Sequence, residues 1–172
     1  PGRSMVLMSK WAQTGENRSW VLYLTGTGQL GFEWTTLGTN ASRISAFAGA
    51  SFSAFTTGRV CIKMTLDVDN GAAGNTVTFY TAGSIDGTYT MFGSPSVRAG
   101  VTSIFSGTAR PCLGAGEANA GIFTNTTSFG GKFYKGRIYN GIAGSLVANP
   151  DLSSLAAEAL TATAPSCAES PA

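Results

Sequence analysis

Histidine is absent from this 172-residue sequence. Because histidine is the side chain that ordinarily titrates between pH 5 and 8, its absence excludes a Ser-His-Asp or Cys-His nucleophile system and any zinc site with histidine ligands. The sequence also lacks an apolar run long enough for a membrane helix, and its start lacks the apolar core of a signal peptide. We therefore expect no membrane insertion and none of the histidine-dependent hydrolase activities.

Charge is scarce as well. Charged residues make up 12% of the chain, against 43% hydrophobic residues, and the formal net charge is +2. Binding a polyanion requires several cations on one face, and no long cluster of lysine and arginine exists here, so nucleic acid is not an expected partner. The surface must consist largely of serine, threonine, glycine and asparagine. Such a surface suits a domain that is covered by neighbours in an assembly, or one that faces sugars.

The three cysteines are too few and too widely spaced for a disulfide framework or a metal knuckle. Cys61, Cys112 and Cys167 can form one bridge at most. Cys61 stands in an apolar run, residues 59–66, where we expect a buried thiol that packs as a small hydrophobic side chain.

Short β-rich runs recur between turn clusters of glycine, asparagine and aspartate, which is typical of an all-β sandwich in one domain. Leu30, Phe32 and Trp34 alternate with polar or small residues and are predicted to share one strand face. Residues 37–58 are predicted to be mostly loop, and residues 69–75 the turn of a hairpin. Roughly eight to twelve strands fit; the predicted ones span residues 5–12, 19–25, 29–35, 50–55, 59–68, 76–81, 89–92, 102–106 and 133–139.

The composition changes after Pro150. Asp151 is a good N-cap, and residues 151–160 are good helix formers with apolar spacing near i, i+4, so they predict a short helix. Two prolines and small polar residues follow. The sequence therefore predicts a β domain over residues 1–150, with a short helix and tail over residues 151–172.

A family pattern runs from about Leu7 to Asp151. It consists of SKWAQTGENRSW (9–20), GQLGFEW (28–34), LDVDNG (66–71), VTFYT (77–81), TSIF (102–105), NGIAG (140–144) and ANP (148–150). In this order and spacing the segments resemble the laminin-G-like branch of the concanavalin A-like lectin/glucanase superfamily, in the version found in tail and other virion proteins of bacteriophages infecting actinobacteria. The resemblance implies a two-sheet antiparallel jelly-roll sandwich. The family's strand before Leu7 has no counterpart here, and an unpaired sheet edge invites a strand from another chain.

Catalysis is not expected. Related glucanases carry a clustered Glu-x-Asp-x-x-Glu motif on one strand, and glycoside hydrolysis needs two carboxylates across a cleft. No such segment exists in this chain. Glu33 is the only carboxylate next to a sugar-stacking aromatic on an evident strand, and we interpret it as a solvent-facing side chain.

Two groups of residues are candidates for binding. Trp11, Arg18, Trp20 and Trp34 offer aromatic faces and a guanidinium that would suit a sugar ring; the alternative is that the tryptophans belong to the core and Arg18 holds the turn. Asp67, Asp69 and Asn70 offer hard oxygen ligands for calcium. The alternative there is ordinary turn chemistry at Asp69-Asn70-Gly71. Apart from calcium, no cofactor is expected.

The leading hypothesis is a non-catalytic structural and binding module of a bacteriophage virion. The resemblance implies a minor tail, tip, fibre or capsid-decorating protein on the extracellular particle. Its partners would be other virion proteins, in an oligomer or larger assembly, and glycans of the host cell surface. The competing hypothesis is a free carbohydrate-binding lectin or adhesion domain, with or without calcium.

Overall fold

The computed structural model describes residues 4–52, 58–119, 122–123 and 132–152, and for residues 117–119 and 122–123 it describes the backbone alone. These residues form an all-β structure of thirteen strands. The strands are β1 (Met5–Ala12), β2 (Asn17–Leu24), β3 (Gln29–Thr35), β4 (Arg43–Ser51), β5 (Cys61–Asp67), β6 (Gly74–Ala82), β7 (Thr90–Met91), β8 (Ser96–Ala99), β9 (Pro111–Leu113), β10 (Glu117–Asn119), β11 (Ile122–Phe123), β12 (Ile138–Asn140) and β13 (Ser145–Ala148).

The strands form two main sheets and a separate hairpin. In the first sheet the order is β11-β10-β1-β2-β3-β4, and β9 also pairs with β1. In the second sheet the order is β5-β6-β7. Strand β8 also pairs with β6, at residues 74–77, whereas β7 pairs with residues 80–81. The β12–β13 pair stands apart. Every pairing is antiparallel except the single bridge between β1 and β10.

One hydrophobic core joins the two main sheets, as in a β-sandwich. The first sheet contributes buried side chains from β1 to β4, and the second contributes Val77 and Phe79 from β6. Leu30, Phe32 and Trp34 all lie in this core with at most 1% exposure, which confirms the predicted face of β3. Burying each such side chain stabilises the fold by about 1.5–3 kcal/mol relative to leaving it exposed.

Residues 100–110, which we call the crossing segment, run from the second sheet to the first at one end of the core. The segment begins beside the second sheet, where Thr102 N–H donates to Val68 O at 3.0 Å. It then reaches the first sheet, where Phe105 N–H donates to Thr35 O at 2.8 Å. Near its end, Thr108 N–H donates to the Asn17 side chain at 2.9 Å. The two sheets are thus tied together by backbone hydrogen bonds as well as by apolar packing.

The outer edge of β4 is covered by the connection between β7 and β8. Gly93 has a φ of +76°, and a Cβ there would lie 2.5 Å from Ala50 N, so only glycine permits this approach. The Arg98 guanidinium donates to Ser45 O on β4. An edge strand with its backbone covered in this way is protected against pairing with another chain.

Several predicted strands need correction. Residues 43–49, predicted as loop, belong to β4. Residues 102–106, predicted as a strand, form part of the crossing segment, because their backbone groups bond to distant residues instead of a neighbouring strand. Of residues 133–139, Ile138 and Tyr139 are in β12, while Lys135 forms an isolated bridge with Asp151. Among the observed strands, β8, β9, β10, β11 and β13 were not predicted. The predicted helix after Asp151 and the predicted strand after Phe52 lie outside the described residues.

We expect Thr102→Val to destabilise the protein by about 1–3 kcal/mol. Valine keeps the shape of threonine but leaves the Trp34 indole N–H, which donates to Thr102 Oγ1 at 2.9 Å, without an acceptor. Urea unfolding followed by tryptophan fluorescence measures the change. Ser103→Ala, at the exposed neighbouring position, is the control and should stay within about 0.5 kcal/mol of the parent protein. Equal stabilities of Thr102→Val and the control would contradict this role of Thr102.

Candidate functional site

The candidate sugar-binding residues lie on adjacent strands of the first sheet. Trp20 is directly opposite Trp34 across β2 and β3, and Trp11 is directly opposite Arg18 across β1 and β2. They are therefore neighbours, as their sequence positions suggested. Their exposure differs, and exposure decides what each residue offers to a ligand.

Trp34 has no exposed surface. Its ring stacks on Phe32 with 5.6 Å between ring centroids, and its indole N–H is bonded to Thr102. A sugar ring needs an open aromatic face, so Trp34 belongs to the core and its assignment as a glycan-binding residue is corrected. Trp11 is 9% exposed, and Trp20 packs against the core while keeping part of its surface accessible.

Arg18 holds the turn that follows β1. Its guanidinium donates to a Glu16 carboxylate oxygen at 2.8 Å and reaches Gly38 O at 3.5 Å, and its side chain is 12% exposed. Its backbone N–H also donates to Gly38 O. Because the guanidinium already bonds to these partners, the geometry matches the structural alternative of the sequence analysis. Glycan binding by Trp11, Arg18 and Trp20 stays a prediction.

The candidate calcium ligands lie at the turn between β5 and β6. Asp69 Oδ1 accepts from Gly71 N–H at 3.1 Å, and Asn70 Oδ1 accepts from Ala72 N–H at 3.0 Å. The Asn70 amide also donates to Thr76 Oγ1 at 3.0 Å. These are the side-chain-to-backbone bonds typical of Asx turns. The side-chain carboxylate of Asp67, at the end of β5, has no hydrogen-bond or ion-pair partner among the described residues.

A tyrosine–carboxylate–arginine cluster lies on the face of the first sheet that points away from the core. Tyr23 Oη donates to Glu33 Oε1 at 3.0 Å, and Arg43 is 3.5 Å from the other Glu33 oxygen. The Tyr23 ring lies across Gly31, where a Cβ would be 2.5 Å from the ring, and meets Phe47 edge to face. Burial, and then the charge and hydrogen bond of Glu33, raise the pKa of Tyr23 well above its ordinary value. Glu33 is thus bound to structural partners, and was wrongly interpreted as simply solvent-facing.

A second polar cluster covers the outward face of the second sheet. The Lys63 ammonium lies 4.4 Å from the Tyr80 ring centroid and 4.8 Å from that of Tyr89. Nearby, Arg137 bonds to Asp86 at 2.6 Å, and this hydrogen bond and charge lower the pKa of that carboxyl. These residues were not among the candidates predicted from the sequence. The available signal was the alternation of Cys61, Lys63, Thr65 and Asp67 along β5, which places all four on one face.

Cys61 is a free thiol on this same outward face, opposite Ala82. It is only partly buried, so the expectation of a fully buried side chain is wrong. Burial and the nearby Asp86 carboxylate raise the pKa of the thiol, which keeps it protonated near neutral pH. The environment therefore does not activate Cys61 as a nucleophile.

The β12–β13 hairpin exposes apolar side chains to solvent. Ile142 at its turn is 57% exposed, Val147 is 60% exposed, and Tyr139 and Leu146 form an exposed cross-strand pair. No charged residue occurs from Ile138 to Pro150. Two-stranded hairpins are marginally stable on their own in water, and exposed apolar surface is typical of an interaction site.

A small cavity lies beside β1. This cavity of ≈ 50 Å³ lies between β1, β9 and the base of the β12–β13 hairpin, whereas small-molecule sites occupy about 300–1,000 Å³. No group of three or more histidine, cysteine, aspartate and glutamate side chains comes together in the described part of the chain. Within that part, too, no helix has the length and apolar character needed to cross a membrane.

Comparison with known proteins found no match, whether among family models, curated proteins or solved structures.

We expect calcium to leave the melting temperature unchanged and Asn70→Ala to lower it. The Asp69 and Asn70 oxygens already accept turn amides, and the alanine variant loses two hydrogen bonds worth about 0.5–1.5 kcal/mol each. Thermal melts of both proteins, with millimolar calcium and with a chelator, measure both effects. A calcium-dependent rise in melting temperature that Asp67→Asn abolishes would show that the carboxylates bind the ion instead.

We expect stability to fall as the pH rises above about 10, the unperturbed pKa of tyrosine. Because the pKa of Tyr23 is raised in the folded protein, its proton is held more tightly there than in the unfolded chain. The stabilisation is complete below the unfolded pKa and is lost as the pH rises toward the folded pKa. Urea unfolding at pH values from 8 to 11 should show a steeper loss for the parent protein than for Tyr23→Phe. Tyr139→Phe, at an exposed tyrosine, should retain the parent slope; a Tyr23→Phe slope equal to it would contradict the assignment.

Proposed function

We propose that this chain is a non-catalytic, laminin-G-like jelly-roll module of a bacteriophage virion, where it packs against other virion proteins. The virion assignment and the jelly-roll topology rest on the order and spacing of the resembling segments between Leu7 and Asp151. The antiparallel sheets and their shared core support a β-sandwich. The particle that carries the module would be extracellular.

The observation that carries the assembly role is the β12–β13 hairpin. Its exposed apolar side chains and its lack of charge would favour aggregation of a free protein, because charged side chains are the usual protection of exposed strands. A neighbouring virion protein that covers the hairpin would prevent this aggregation. The scarcity of charge over the whole chain, 12% of residues, agrees with a surface that is partly covered in an assembly.

A non-catalytic role agrees with the positions of the carboxylates. Glu33, the one candidate acid of the sequence analysis, bonds to Tyr23 and lies beside Arg43. Neither partner supplies the second carboxylate that glycoside hydrolysis uses. Contact with host-surface glycans remains a prediction of the resemblance. The burial of Trp34 removes one of the three tryptophans considered for glycan binding, both in the virion module and in the free-lectin alternative.

The test is whether the chain is built into particles and whether the hairpin is needed for it. We expect purified particles from the genome that encodes this chain to contain it, by peptide mass spectrometry and by antibody labelling at a constant position. Ile142→Asp places a charge at the exposed turn and should reduce incorporation about tenfold, while the isolated variant keeps the parent melting temperature.

Leu37→Asp is the matched control, since Leu37 is similarly exposed at 69% and lies outside the hairpin. It should be incorporated like the parent protein. Particles that lack the chain altogether would contradict the virion assignment. Equal incorporation of both variants would contradict the role of the hairpin.

A further inference from the structure

The outer edge of β5 differs from the other long edge strand of the sandwich. Among the described residues, β5 pairs only with β6, and no backbone hydrogen bond from another described segment reaches residues 61–67. The edge of β4, in contrast, is covered by the β7–β8 connection and by Arg98. An uncovered edge presents a row of N–H and C=O groups that can pair with another strand.

The apolar side chains of β5 that face the core are also incompletely buried. Ile62, Met64 and Leu66 point into it but remain partly exposed, whereas their β6 neighbours Val77 and Phe79 are at most 1% exposed. A strand added beside β5 would extend the sheet and place its own inward side chains against this row. The edge therefore has both unpaired backbone groups and apolar surface to offer a partner strand.

We propose that the partner is β5 of a second copy of this chain, paired antiparallel about a two-fold axis that passes midway between the Thr65 residues of the two strands. The result is one continuous sheet that runs through both copies. Five residues of each strand, 63–67, then stand opposite each other. The proposal concerns the isolated chain and stands apart from the virion assignment.

The charges of Lys63 and Asp67 favour this register. Around a two-fold axis at Thr65, Lys63 stands directly opposite Asp67 of the second copy, and the symmetry creates this pair twice. An axis at Lys63 would place two lysines opposite each other, and an axis at Met64 would place Lys63 opposite threonine. Opposite charges across antiparallel strands are favourable and like charges unfavourable. The register at Thr65 is thus the one that pairs both charges of β5.

The remaining residues of the strand agree with this register. On the outward face, the two Thr65 side chains meet at the axis, and threonine pairs are among the favourable cross-strand neighbours. On the inward face, Met64 stands opposite Leu66 of the second copy, so apolar surface that is partly exposed in one chain is covered in two. A shift by one residue would bring inward side chains opposite outward ones and is excluded by the pleat.

The two charged residues are accessible for this pairing. The Asp67 carboxylate has no hydrogen-bond or ion-pair partner in the described part of the chain. Lys63 is exposed, and its ammonium lies over Tyr80. A flexible lysine side chain on an open surface can turn from the ring toward a carboxylate on the other side of its own strand. This rotation of the Lys63 side chain would bring its ammonium to Asp67 of the second copy.

A charge-reversal cycle tests the register. Sedimentation equilibrium of the purified chain should show a monomer–dimer equilibrium. Lys63→Glu and Asp67→Lys should each raise the dissociation constant about tenfold or more, because two attractive pairs become repulsive. The double variant reverses both charges and should return to within about threefold of the parent value. Lys132→Glu changes the net charge as Lys63→Glu does, at an exposed site outside β5, and should leave the dissociation constant unchanged.

A cross-link tests the symmetry axis independently of charge. In a variant with Cys61 and Cys167 replaced by serine, Thr65→Cys should form covalent dimers with a short bis-maleimide, because directly opposite Cβ atoms are about 4.5–5.5 Å apart. Thr76→Cys, on the same face but on β6, should not. Circular dichroism and melting temperature confirm that each variant is folded.

Three results would overturn the proposal. A parent chain that remains monomeric at all concentrations shows that no second copy binds at this edge. A monomer whose β5 amides are all protected from hydrogen exchange shows that the chain's own residues cover it. A dimer that the two single charge reversals leave unchanged, or that cross-links through Thr76→Cys as readily as through Thr65→Cys, uses another surface.

Discussion

The structure depends on the burial of one large polar-tipped side chain, Trp34. Its ring supplies apolar area at the centre of the core, but its indole N–H cannot be buried without an acceptor, since an unsatisfied donor costs about 1–3 kcal/mol. Thr102 on the crossing segment is that acceptor. The hydrogen bond from the Trp34 indole N–H to Thr102 thus holds the crossing segment against the core. The segment in turn bonds to Val68 on one side of the core and to Thr35 on the other.

The same core explains why the two long edges differ. At β4 the chain returns from the second sheet through Gly93, whose positive φ and missing side chain allow backbone to lie against backbone. The sheets are thereby joined along that side. At β5 no described strand pairs with the outer edge, and its inward side chains stay partly exposed. A sandwich that is closed on one side and open on the other has a natural place for a partner strand.

The polar chemistry of this chain lies on the outward faces of its sheets. Tyr23, Glu33 and Arg43 form one cluster on the first sheet, and Lys63 with its tyrosines forms another on the second. The side chains in each cluster interact with one another, and these interactions stabilise the sheets. The β12–β13 hairpin, in contrast, exposes apolar side chains to solvent.

The sequence by itself determined the strands whose side chains alternate strongly. The bounds of β1 and β3 and the inward face of Leu30, Phe32 and Trp34 could be predicted, because alternation is a local property that the pleat converts directly into burial. Turn hydrogen bonds at Asp69 and Asn70 could also be considered from the sequence, because they too are local and join residues two apart. Only the tertiary structure decided the rest. Residues 43–49 have no clear hydrophobic period, and residues 102–106 have the composition of a strand. Distant hydrogen-bond partners nevertheless made the first a strand and the second part of the crossing segment. Trp34 looked like a sugar-stacking residue until burial removed its surface, because exposure depends on how the sheets pack and no spacing in the sequence records it.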